Sequence, residues 1–168
     1  VAVTLACALA VTSTTVALTM PSVRQSLGIT PPPPGPSYAV GDAIDVPSEI
    51  FSGAPNTLLL FFRSDCGACE RMKPFLTKLA ARDNATTVRV VAVTGPQNHP
   101  SSINFAQQIG LDASHLATID VTKLRLKNVP AWVLVDRSGR IRAALEGIPA
   151  QADQDHLLRT VTALSQTH

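Results

Sequence analysis

Residues 58–69 read Leu58-Leu59-Leu60-Phe61-Phe62-Arg63-Ser64-Asp65-Cys66-Gly67-Ala68-Cys69, an apolar run that empties into a Cys-x-x-Cys. Continuous apolarity over so short a length fits a strand buried on both faces. The apolar residues beyond it, Met72, Phe75, Leu76, Leu79 and Ala80, fall at helical spacing, so the cysteines open a helix over residues 66–81. Pro74 inside that pattern should kink the helix rather than end it. Two thiols on a first helical turn can close a disulfide with little chain movement, and the free amides of a helix N-terminus stabilise a thiolate. Cysteines so spaced serve either redox work or half of a metal site.

Composition narrows the choice. A chain of 168 residues, 45% hydrophobic and 15% charged, can bury one ordinary core and carry an extension. A net charge of +2 with no Lys/Arg stripe gives no reason to expect a nucleic-acid partner. Three cysteines cannot build a disulfide scaffold, and Cys7 lies in an apolar segment, which leaves Cys66 and Cys69 as the pair. A zinc site would need two further N/S ligands, and His99, His115, His156 and His168 show no ligand spacing, so no metal is expected.

Three regions follow along the chain. Residues 1–23 are expected to be an apolar helix acting as a membrane anchor or signal segment, since no charge occurs before Arg24. Thr15-Val16-Ala17 offers a small-x-small cleavage site, which would make the protein secreted instead of tethered. Residues 24–37 form a linker whose Pro-rich part, Thr30-Pro31-Pro32-Pro33-Pro34-Gly35-Pro36-Ser37, favours extended polyproline geometry. Residues 38–168 have the composition of a folded domain.

Within that domain, residues 38–46 are expected to hold a short edge strand or hairpin. Strands are predicted at 58–62, 88–93, 116–119, 131–135 and 140–145, helices at 66–81, from 101 to Gly110, and at 153–164, and a turn-rich loop at 95–100. Asp136-Arg137-Ser138-Gly139 has turn chemistry and joins the last two strands as a hairpin. Strands alternating with helices and closing in a hairpin imply an α/β domain, a mixed central sheet with helices on both faces.

Three separated pieces then resemble the thioredoxin superfamily, and within it the TlpA-like membrane-anchored thiol-disulfide oxidoreductases: the strand running into Cys66-Gly67-Ala68-Cys69, Pro74 five positions later, and residues 128–141 around Asn128-Val129-Pro130-Ala131. The resemblance implies a thioredoxin fold and a cis Val129-Pro130 bond facing Cys66. The backbone of Val129 would pair with an extended substrate chain, and Pro130 would keep other ligands from the thiolate. Cys66 would attack a substrate disulfide and Cys69 would resolve the mixed disulfide, with no cofactor beyond the redox-active Cys66-Cys69 pair. The implied partners are a protein thiol or disulfide substrate and an upstream redox protein that recycles the pair. The implied place is outside the cytoplasm, in the periplasm or its equivalent, and reduction of the cytochrome c maturation type is favoured.

Departures from the family pattern fall around the cysteines. Asp65 stands where an aromatic residue is usual, Leu60 where thioredoxins bury an acid, and Met72 where TlpA-like reductases often carry a glutamate. Asp65 should oppose thiolate formation at Cys66, while Arg63, Arg71 and the helix terminus should favour it. Asp65, Gly67 and Ala68 are therefore expected to tune the pair's potential. Glu70 reads as solvated surface, and Trp132 as core rather than groove lining. The approach Phe62-Arg63-Ser64-Asp65-Cys66 also resembles MauD-like accessory proteins associated with maturing a disulfide-rich partner. A thioredoxin-fold binding module without redox activity is the rival from another class.

Overall fold

The computed structural model describes residues 37–84 and 86–166. The expected anchor at 1–23 lies outside the described residues, as does the linker apart from Ser37. Among the described residues no helix is long and apolar enough to cross a membrane.

Five strands form one sheet, in the order β3-β2-β1-β4-β5. They are β1 (Asn56–Phe61), β2 (Val88–Thr94), β3 (Leu116–Thr118), β4 (Ala131–Asp136) and β5 (Ile141–Glu146). The apolar run sits at the centre: β1 pairs parallel with β2 and antiparallel with β4. Leu58, Leu59 and Leu60 are fully buried, which a strand covered on both faces requires. Alternation divides β1 between two cores. Leu58 and Leu60 point one way, Leu59 and Phe61 the other.

Helices α1 (Gly67–Ala80), α2 (His99–Gln108) and α3 (Gln151–Ser165) complete the domain. All three pack on the Leu58/Leu60 side, through Met72, Phe75, Leu76, Leu79, Phe105, Ala106, Leu157 and Val161. The expectation of helices on both faces is thus corrected for the α-helices. Both steps β1→β2→β3 move the same way across a sheet of parallel neighbours, and right-handed crossovers then put α1 and α2 on one face.

The opposite core, around Leu59, Phe61, Val91, Val93, Val133 and Val135, is covered by Tyr38, Ile44, Phe51 and Leu124 from irregular segments. Only short 3-10 turns, Ser48–Ile50 and Val121–Lys123, lie in those segments. Tyr38 ties them together: its hydroxyl donates to Asp45 (3.0 Å) and accepts from the Arg125 amide (3.1 Å), while the Arg125 guanidinium stacks 4.4 Å from its ring centre. The strand or hairpin expected at 38–46 is reduced to a single bridge, Ala43 to Arg140. Gly41 takes a positive φ of 93° there and Pro47 follows, so no ladder extends.

One smaller difference concerns a helix start. The loop expected at 95–100 is partly helical, with a 3-10 turn at Pro96–Asn98 running into α2 at His99. The β4–β5 turn is as predicted: the Asp136 carboxylate accepts from the amides of Ser138 and Arg140, both at 3.0 Å. Gly139 is required in it. Its φ is 76°, and a Cβ would sit 2.7 Å from the Phe51 ring.

Candidate active site

Phe62 leaves β1 buried and stacks on Phe105 of α2, ring centres 4.5 Å apart, which fixes where the chain turns into α1. Cys66 is the N-cap of α1, with extended φ/ψ of −99° and 106°. Its sulfur accepts from the Cys69 amide at 3.2 Å, and its thiol donates to the Val129 carbonyl at 3.6 Å. Cys66 is half-buried and Cys69 fully buried, and both thiols are free. One turn of helix therefore separates an accessible sulfur from a dry one.

Burial pushes the Cys69 thiol up to about 12, and its hydrogen bond with Cys66 adds to the rise. Its surroundings explain this. Leu60 and Trp132 face each other across the β1–β4 register, both fully buried, and Met72 joins them in the core that holds Cys69. Trp132 meets the edge of Phe75 at 5.6 Å, and its indole N–H has no hydrogen-bond partner. Leu60 and Met72 thus put apolar side chains, and no carboxylate, into the core around Cys69. Glu70, the acid nearest in sequence, is exposed and pairs with Lys73 at 2.6 Å.

Asp65 is paired rather than bare. Arg63 Nε donates to its Oδ1 at 3.0 Å and Nη2 to its Oδ2 at 2.6 Å, and that bond holds the Asp65 carboxyl below its usual range. The two charges weighed separately from sequence thus meet each other beside Cys66. Gly67 is exposed and Ala68 half-buried.

The Val129-Pro130 peptide is cis, as the resemblance implied. Pro130 is buried, and its carbonyl accepts from the Gly147 amide at 2.8 Å. The fold therefore brings Cys66, Cys69 and Val129 together, with Pro130 behind Val129. Beside them, on the face without α-helices, opens a cavity of about 230 Å³. Phe61, Val93, Val121, Leu124, Leu126 and Val129 give it apolar walls, and Arg63 and Lys127 contribute cationic side chains. Sequence reasoning missed this cavity and also Glu146, whose carboxylate accepts from the amides of Lys127 (3.0 Å) and Asn128 (3.1 Å). Neither carries a local motif that could have signalled it.

Among the described residues no group of three or more His, Cys, Asp or Glu is placed to hold a metal. His115 instead bridges two carboxylates, Asp83 at 3.1 Å and Asp112 at 2.9 Å.

Residues 51–162 match the family described as thioredoxin-like domain. The chain belongs to that family. Solved structures agree on the thioredoxin fold. One is described as thiol:disulfide interchange protein DsbE from Chlorobium tepidum, at 22% identity and TM-score 0.57, covering 76% of this chain and 98% of that one. Another, described as a protein disulfide isomerase from Bacteroides thetaiotaomicron, is 20% identical with TM-score 0.58 and covers 79% of this chain and 94% of its own. A secreted disulfide oxidoreductase from Mycobacterium tuberculosis is 21% identical with TM-score 0.52, covering 70% and 86%. A search of curated proteins found no match. For this thioredoxin-like chain the likenesses establish architecture, and the chemistry rests on the site.

Proposed function

We propose that this thioredoxin-like protein is a thiol-disulfide oxidoreductase acting on protein substrates through Cys66 and Cys69. The observation that carries the reading is the position of the Cys66 sulfur between the Cys69 amide and the Val129 carbonyl. In the reducing direction the Cys66 thiolate attacks one sulfur of a substrate disulfide. The substrate S–S bond breaks, its other sulfur leaves as a thiolate, and a mixed disulfide to Cys66 remains. Cys69 then passes its proton to the substrate thiolate just released and attacks the Cys66 sulfur. The Cys66–Cys69 bond forms, the substrate's second thiol is released, and two electrons have passed from the pair to the substrate. A dithiol redox protein upstream reverses the change in the pair.

An extended substrate segment laid against Val129 would project a side chain toward the cavity walled by Val121, Leu124 and Leu126. That geometry supports polypeptide substrates over small thiols. Reduction of the cytochrome c maturation type, tethering by residues 1–23 and a place outside the cytoplasm are the finer parts of the proposal. They are supported by the TlpA resemblance and by fold likeness to a DsbE protein.

The test is turnover by the Cys66→Ser and Cys69→Ser variants. Cys66→Ser should abolish insulin-disulfide reduction, and unchanged turnover would overturn the assignment. Cys69→Ser should accumulate mixed disulfides detectable by mass spectrometry.

One observation favours a second reading. Cys69 is pushed up to about 12 by burial, and the apolar side chains of Leu60 and Met72 offer it no carboxylate. A thiol so reluctant to ionise suits a binding module, or a MauD-like accessory that holds a disulfide-rich partner. A pair that cycles with neither glutathione nor a thioredoxin partner would select that reading.

A further inference from the structure

Glu146 is the last residue of β5 and lies opposite Ala131 in the β4–β5 register. Its Oε2 accepts from two successive amides, Lys127 at 3.0 Å and Asn128 at 3.1 Å, and its Oε1 accepts from the Ser37 amide at 2.8 Å. The next residue, Gly147, donates its amide to the Pro130 carbonyl at 2.8 Å. Residues 127–130 are thus fastened at both ends by the end of β5. Val129, between the fastenings, keeps its carbonyl for the Cys66 thiol.

We propose that Glu146 is the positioning residue of the substrate-pairing loop: its carboxylate, converging on the Lys127 and Asn128 amides, holds the Val129 backbone where an extended substrate docks beside Cys66. The inference rests on the thiol-disulfide reading above and names a residue that this reading leaves out. Lys127 and Asn128 are exposed and precede β4, so no strand partner fixes them. A carboxylate is the side chain suited to the task, because it only accepts, and two N–H groups can share one oxygen in charge-assisted bonds. If water replaced it, the loop would have to be ordered by each incoming substrate, and the ordering cost would appear in binding. The chemical step at the sulfurs would be untouched.

Glu146→Ala and Glu146→Gln separate this role from a merely structural one. Glutamine keeps one acceptor oxygen for the loop amides and gives up the bond to Ser37. Glu146→Ala should raise KM for a disulfide-bonded protein substrate roughly tenfold with kcat within about twofold, the size expected from losing charge-assisted bonds to two amides. Glu146→Gln should return KM to within about threefold of the parent, since it retains an acceptor. Amide hydrogen exchange at Lys127 and Asn128, the two amides that Glu146 accepts from, should quicken in the alanine variant and recover in the glutamine one. An unchanged KM in Glu146→Ala, or loss of kcat and KM together without rescue by glutamine, overturns the proposal. Should the parent show no turnover at all, the oxidoreductase reading fails. Amide exchange then decides for Glu146 alone, and unaltered protection in the alanine variant overturns it.

Discussion

The two faces of the sheet are built from the same central strand and do opposite work. On the Leu58/Leu60 side three α-helices press apolar side chains against the sheet, and Cys69 ends up dry among Leu60, Met72 and Trp132. On the Leu59/Phe61 side irregular chain and 3-10 turns cover the strands, held by Tyr38 and Arg125, and a cavity opens next to Val129. Helix packing excludes water and keeps the second thiol protonated. Loop packing leaves backbone and space for a partner. Cys66, at the seam, touches both through the Cys69 amide and the Val129 carbonyl.

The comparison breaks most visibly at Trp132. Trp132→Ala on the dry face should cost about 3–5 kcal/mol in urea unfolding, because a fully buried indole leaves a large void. Trp132→Phe should cost much less, since the indole N–H it deletes bonds to nothing. Equal losses in the two variants would show that the N–H matters and that the dry-face account is wrong.

On the open face the effect should move from stability to recognition. Val121→Ser removes an apolar wall of the cavity from a residue 39% exposed. Unfolding free energy should change by no more than about 0.5 kcal/mol, as for surface sites generally. KM for substrates with an apolar residue beside the reacting cysteine should rise several-fold, while KM for glycine-flanked substrates should hold. Equal effects on both substrate sets would remove the cavity from recognition.

The smallest effect tests the periphery. Burial opposes protonation of His115, but hydrogen bonds to Asp112 and Asp83 outweigh it and raise its pKa. A histidine whose folded pKa is raised contributes stability that is complete below the unfolded value of about 6.5 and is lost as pH rises through the folded value. Asp112, lowered to about 2 by bonds from Ser114 and His115, contributes in the opposite sense and loses its part as pH falls toward that value. His115→Asn should therefore flatten the decline of Tm as pH rises from about 6.5, without altering turnover. A parent Tm that does not decline there would contradict the ion pairs.

How much of this was legible follows from how far each signal reaches along the chain. The apolar run, the cysteine spacing, Pro74 and Val129-Pro130 are local, so the strand, the helix N-cap and the two thiols could be placed from sequence, as could the hairpin turn at Asp136 to Gly139. The Arg63–Asp65 pairing spans two residues, but its outcome depended on side-chain geometry that spacing does not give.

The sequence by itself determined the central strand, the helix capped by Cys66, the closing hairpin and the family resemblance, because periodicity, caps and turn chemistry act within a few residues. Only the tertiary structure decided that all three α-helices share one face: the strand order and the hand of two crossovers place α1 and α2 there, and α3 joins them by packing Leu157 and Val161 into the same core. It likewise decided that Glu146 grips residues 127 and 128, and that Cys66 meets Val129 across 63 positions of sequence. Such contacts are set where chain segments converge, and no local pattern encodes the convergence.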